Sequence, residues 1–186
     1  MYRESTEQLP TSELPQSPEI HQISTWAQSP EMHPIRPRAL VYGEGQLGKL
    51  DGKVTNGLVR HSEKYQIVGV TDSTKVGMDA GEFLDGVKNG IPVFRDIVDA
   101  IDTLVDVPEY FIYGIAPLAS YITRQQRETV LAAMEKGMDI INGLPEFFTE
   151  DREFVRKAKA CRVQIQDIRK PPPRKDLHLF SGAIFQ

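Results

Sequence analysis

Cysteine is almost absent from this sequence, and so is everything that depends on it. Cys161 stands alone, so no internal disulfide can form. It lies in a basic, helix-like stretch (Arg156, Lys157, Lys159, Arg162) without a partner base nearby, which reads as a structural thiol. No apolar run approaches the length needed to span a membrane. The N-terminus has no apolar core of a signal peptide, and the expected location is the cytoplasm. His21, His33, His61 and His178 show no metal-ligand spacing, so no metal site is expected. There is no phosphate-binding G-x-x-x-x-G-K-[ST] run, and no Ser-His-Asp or Cys-His set. The formal net charge of -4 excludes a large positive field for nucleic acid or anionic lipid.

What is present is ordinary for a globular domain: 40% hydrophobic and 26% charged residues in 186. Residues 1–37 differ. They hold Pro10, Pro15, Pro18, Pro30, Pro34 and Pro37 and no glycine, with Ser, Thr, Glu and Gln in most other places. So little apolar surface cannot offset ordering entropy, and a disordered tail is expected.

From residue 38 to about 170 short apolar runs alternate with amphipathic ones. Strands are expected at 39–42, 66–71, 91–94, 110–114, 138–142 and 163–167. Helices are expected at 53–63, 96–105, 123–136 and 149–160, with only a hint of one at 80–84. Thr123 and Gln126 fit a capping box, and Gly137 fits a helix stop. Strands joined by helix-length crossovers predict an α/β, Rossmann-like, doubly wound and mostly parallel sheet. Ala39 to Tyr42 should lie near its centre. Pro171-Pro-Pro173 then forces an extended chain, and 171–186 reads as a linker with unpartnered apolar groups.

In such a sheet, ligands bind beyond the carboxyl ends of the strands. Gly43-Glu-Gly45-Gln-Leu-Gly48 follows the first strand and spells G-x-G-x-x-G, either a phosphate cradle or a flexible loop. Asp72 ends the second strand, where an acid can accept from ribose hydroxyls or simply make a turn. Ala116 and Pro117 after the fourth strand, and Asn142 and Gly143 after the fifth, are small turns that leave room for a ligand. Asp167 and Arg169 end the sixth strand as an anion-binding fork or a local ion pair. Gly43, Gly45, Asp72, Ala116, Pro117, Asn142 and Gly143 are expected to converge on one pocket.

The ordered motifs Leu50-Asp-Gly-Lys53, Gly57-Leu-Val-Arg60, Val70-Thr-Asp-Ser73, Gly90-Ile-Pro-Val93, Gly114-Ile-Ala-Pro117, Asn142-Gly-Leu144 and Asp167-Ile-Arg-Lys-Pro171 resemble the N-terminal Rossmann-like domain of the domain-of-unknown-function 1611 family. The resemblance spans about residues 39–186 and brings Lys53 and Ser73 into the candidate site. It implies a second, P-loop domain and, from one branch, D-glutamate N-acetyltransferase activity with acetyl-CoA as donor. This sequence stops about where that domain should begin, and it has Leu118-Ala-Ser120 and Pro145 where the family often has Gly-Gly and His. The turns Ile115-Ala-Pro117 and Gly143-Leu-Pro145 are also similar to the CoA-binding domain of succinyl-CoA-synthetase-like ligases. The expectation is the nucleotide- or CoA-binding half of a truncated or split N-acetyltransferase-like protein, inactive alone. Its ligand would be acetyl-CoA, CoA or an adenine nucleotide, and its partner a P-loop domain; a homo-oligomer stays open. A free-standing NAD(P)-binding oxidoreductase or epimerase is the alternative.

Overall fold

The computed structural model describes residues 36–116 and 121–172. The expected tail, but for its last two residues, and the linker beyond residue 172 lie outside the described residues, as does Pro117.

Six strands form one sheet in which every pairing is parallel: β1 (Arg38–Tyr42), β2 (Gln66–Thr71), β3 (Val93–Phe94), β4 (Tyr110–Tyr113), β5 (Asp139–Asn142) and β6 (Ile165–Asp167). Their spatial order is β3-β2-β1-β4-β5-β6. The doubly wound Rossmann-like α/β architecture is therefore what the alternation of strands and helices encodes. β1 is central because Ala39 to Tyr42 is apolar on both faces, and these four residues are buried.

The helices are α1 (Lys53–Arg60), α2 (Ala80–Asp85), α3 (Ile97–Thr103), α4 (Arg124–Glu135) and α5 (Arg152–Cys161). Alternation along each strand sorts the core into two layers. Ala39, Val41, Val70, Val93, Ile112 and Ile141 pack with Leu47, Val59 and Ala80, on the side of α1 and α2. Leu40, Tyr42, Phe94, Phe111, Tyr113 and Ile140 pack with Ile97, Ala100, Val130, Met134 and Phe154, on the side of α3, α4 and α5. The chain moves outward in one direction through β2 and β3, then crosses back over β1 to β4. Right-handed crossovers place the helices of the two halves on opposite faces.

Carboxylates and hydroxyls set the helix starts. Thr123 and Gln126 form the expected capping box on α4. Asp79 secures the short α2 by accepting from the N–H groups of Glu82, Asn89 and Gly90. α5 begins at Arg152, later than expected, because a single turn of 3-10 helix (Phe148–Glu150) comes first and Asp151 is the N-cap. α1 stops at Arg60 rather than 63, since His61 turns extended and Tyr65 swings into the core. β3 starts at Val93 because Pro92 has no N–H for the ladder. β6 starts at Ile165 because Arg162, at φ 59°, ends α5 in the left-handed region.

One contact docks α1 on the sheet. The Thr55 hydroxyl donates to the Gly114 carbonyl at 3.1 Å and approaches the Tyr42 carbonyl at 3.4 Å, and the Thr55 N–H donates to Gly114 at 3.2 Å. The absence of side chains at Gly43 and Gly114 permits this approach. A Cβ at Gly114 would stand 2.2 Å from Thr55 Oγ1 and 2.7 Å from Val41 Cγ1. Gly114→Ala is expected to lower stability by about 2–3 kcal/mol in denaturant titration. Gly57→Ala, in the same helix system but with open space around it, is expected to raise stability by about 0.5–1 kcal/mol.

Candidate functional site

At the carboxyl edge, the glycine loop is closed from within. Gly45 (φ 64°) and Gly48 (φ 82°) are left-handed, which only glycine adopts without strain. Their curvature turns the loop's N–H groups inward. Gly43 N donates to the Thr71 carbonyl at 3.0 Å and Gln46 N to the Gly43 carbonyl at 2.8 Å. Gly48 N donates to Asn56 Oδ1 at 2.9 Å, and Leu47 N donates to Asp72 Oδ2 at 3.3 Å. The Asp72 carboxylate, fully buried, further accepts from Thr74 N at 3.0 Å, Thr74 Oγ1 at 2.5 Å and Lys75 Nζ at 3.1 Å.

The loop therefore holds an anion, and the anion is the chain's own. Of the residues read from sequence as a phosphate cradle and a ribose acceptor, Gly43 bonds the Thr71 carbonyl and Asp72 accepts from the loop through Leu47 N. Burial pushes the Asp72 carboxyl up, but the bonds from Thr74 and Lys75 outweigh it and hold its pKa below the ordinary value. Nor is the start of α1 free. Gly52 N and Lys53 N donate to the Lys49 and Leu50 carbonyls. The Lys53 side chain is exposed and forms no ion pair among the described residues.

A second acid is handled the same way. Asp167 accepts from Asn142 Nδ2 at 2.8 Å, Phe148 N at 3.0 Å, Thr149 N at 2.9 Å and Thr149 Oγ1 at 2.6 Å. These bonds again outweigh burial and lower its pKa. Asp167 and Arg169 thus form neither a fork nor a local pair: the acid faces inward and Arg169 is exposed. Asn142 is fully buried, and Gly143 lies against Ile168. Between the two clusters, Ala116 N donates to the Asp51 carbonyl at 2.7 Å, and Thr55 fills the gap between β1 and β4. The expected single pocket is accordingly two separate, internally bonded corners.

An open cavity lies beside them, on the α3–α4 side of the same edge. It has a volume of ≈ 180 Å³ and is lined by Tyr42, Glu44, Thr71, Ser73, Arg95, Asp96, Ile97, Gln125 and Thr129. Of the residues proposed from sequence, Ser73 is the only one in its wall among the described residues. Glu44, in the glycine loop, accepts from Ser73 N at 2.9 Å and from the Ser73 hydroxyl. Burial, then the nearby Glu44 charge, pushes the Tyr42 phenol up to about 12, so it remains a donor. Burial raises the neighbouring Tyr113 phenol as well. Thr71 is 1% exposed and its hydroxyl has no hydrogen-bond partner among the described residues. Arg95 is exposed and makes no ion pair among the described residues. Strand alternation was the available signal: Thr71 falls on the face of Gly69, which packs against Phe94 and Leu40 of the α3–α5 layer.

Residues 73–171 match a family model described as Domain of unknown function (DUF1611_N), Rossmann-like domain. The chain belongs to this family. Among solved structures, a DUF1611 family protein from Anabaena variabilis is similar at 24% identity and a TM-score of 0.67, over 80% of this chain and 41% of that one. The DUF1611_N chain thus spans less than half the length of that relative. A dehydrogenase from Chromobacterium violaceum (15% identity, TM-score 0.48, 69% of this chain and 34% of that one) is more distant. So is a homoserine dehydrogenase from Thiobacillus denitrificans (19%, 0.46, 71% and 29%). No curated protein matches.

Because Asp72 and Asp167 have lowered folded-state pKa values, their contribution is full above the ordinary carboxyl value of 3.8 and is lost as pH falls through the lower folded value. Unfolding midpoints are expected to drop once the pH is below about 4, and less steeply in the double variant Asp72→Asn/Asp167→Asn. At neutral pH, Asp72→Asn should remove about 2 kcal/mol of stability in denaturant melts.

Proposed function

We propose that this DUF1611_N domain is a binding module for a nucleotide- or coenzyme-A-like ligand, held at the carboxyl edge of the sheet over Tyr42, Thr71, Ser73 and Arg95. The observation that carries the reading is the Thr71 hydroxyl, buried beside a polar cavity without a partner among the described residues. Leaving such a group unpaired costs about 1–3 kcal/mol, and a ligand that supplies the missing bond recovers it. At ≈ 180 Å³ the cavity is smaller than the roughly 300–1,000 Å³ of whole-ligand pockets. It would hold one part of the ligand, the rest lying across the strand ends. A dinucleotide over the glycine loop is the weaker alternative, because the N–H groups of Gly43, Gln46, Leu47 and Gly48 are already committed.

Acetyl transfer of the kind the family resemblance implies would require a P-loop domain beside this one. The two acids that end strands are poorly placed to act as a base. Asp72 and Asp167 are enclosed and held ionised by their bonds. His61, the one histidine among the described residues, follows the end of α1, at the amino end of the sheet. Acyl transfer needs a base placed at the amine and donors at the oxyanion. No helix among the described residues is long and apolar enough to cross a membrane.

A thermal-shift series with acetyl-CoA, CoA, ATP, NAD and NADP tests the reading, since a ligand of the native state raises the melting point by mass action. Acetyl-CoA, CoA or ATP is expected to give a shift. Thr71→Val should melt higher than the unmodified protein, because it removes an unpaired hydroxyl at constant shape, yet should lose most of that shift. A variant that keeps the full shift, or a protein that responds to none of the five, would sink the proposal. With acetyl-CoA and D-glutamate, the chain alone is expected to show no turnover; product formation without a P-loop partner would make this domain an enzyme.

A further inference from the structure

We infer that Glu44, and not Asp72, is the carboxylate that receives the vicinal hydroxyls of a ribose, and that the ligand class is a ribonucleoside phosphate. The assignment rests on the proposed nucleotide-type ligand and specifies which part of it enters the cavity.

A ribose acceptor must meet three conditions: a carboxylate fixed in orientation, oxygens with unused lone pairs, and an opening toward the ligand. Asp72 meets the first and fails the others, since it is buried and its oxygens are taken by Leu47, Thr74 and Lys75. Glu44 meets all three. Its two oxygens are held over the end of β2 by Ser73, one by the N–H at 2.9 Å and the other by the hydroxyl. Each carboxylate oxygen has two acceptor sites, so one remains on each after Ser73 is served. Two parallel acceptors side by side match two adjacent hydroxyls as donors. Glu44 is also partly exposed, in the wall of the cavity.

The other walls suit the same guest. Thr71 offers a hydroxyl with no partner among the described residues, able to donate or accept. Tyr42 offers a phenol that stays protonated well above neutral pH. The volume of ≈ 180 Å³ is scaled to one part of a ligand and not to a dinucleotide. Arg95, exposed and without an ion pair among the described residues, is the cation for an attached phosphate. The diol site has thus moved from the end of β2 to the loop after β1, because the β2 acid is spent on closing that loop.

Calorimetric binding of adenosine 5′-monophosphate and of its 2′,3′-dideoxy analogue tests the assignment. The dideoxy analogue is expected to bind the unmodified protein at least tenfold more weakly. Glu44→Gln should weaken the monophosphate by a similar factor and leave the dideoxy analogue within about twofold, as a double-mutant cycle requires. Glu44→Asp, which retracts the carboxylate by one methylene, gives the same reading if the Gln variant does not fold. Equal binding of the two nucleotides, or equal losses for both in the Glu44 variants, overturns the Glu44 assignment and leaves the proposed function standing. Failure of the unmodified protein to bind the monophosphate at millimolar concentration, while acetyl-CoA or CoA still raises the melting point, also overturns the assignment alone. Failure of every ligand overturns both.

Discussion

The Asp72 carboxylate determines how the carboxyl edge of this domain is built. Left-handed glycines at 45 and 48 give the loop after β1 the curvature that turns its N–H groups onto acceptors of the chain. A buried donor without an acceptor would be costly, and Asp72 supplies the acceptor for Leu47 N from the end of the neighbouring strand. With the loop fixed in this way, α1 begins only after the extra turn at Lys49 to Gly52, and Thr55 is delivered into the gap between β1 and β4. The switch point of the sheet, the usual ligand crevice in this architecture, is thereby filled on its α1 side.

The same logic at β6 makes the pattern a property of the fold. Asp167 ends its strand and gathers the N–H groups of Phe148 and Thr149, so the turn after β5 is tied to β6. Both strand-end acids organise loops. What remains open lies on the other side, where Tyr42, Thr71 and Arg95 come from β1, β2 and the end of β3. Packing and polar satisfaction among the described residues leave a small polar cavity on the edge, with the unpaired Thr71 hydroxyl beside it.

The architecture was legible because it depends on local patterns. The apolar run Ala39 to Tyr42, the capping box at Thr123 and Gln126 and the stop at Gly137 each carry their instruction within a few residues. The site was less legible because it depends on partners. Nothing near Gly43 announces that its loop will be satisfied by a residue 25 positions beyond Leu47. In sequence Glu44 is a spacer between two glycines, and the position of Ser73 shows where it points. Gln125 and Thr129 look like an ordinary polar face of α4 until α4 is packed beside α3. Asp167 and Arg169 are close in sequence yet turn opposite ways, one to the interior and one to solvent.

The glycine loop also shows what a spacing motif leaves unsaid. A free phosphate arriving from solvent must give up its translational freedom to enter; a carboxylate on the adjacent strand is already there, at the high effective concentration of a tethered group. The loop is a lock delivered with its key in place. An intruding anion would have to evict a resident that cannot diffuse away, and would leave a buried carboxylate stranded beside it. Glycine spacing therefore reports the shape of a cradle, whereas its vacancy is decided by whatever residue ends the second strand and by which way that residue faces.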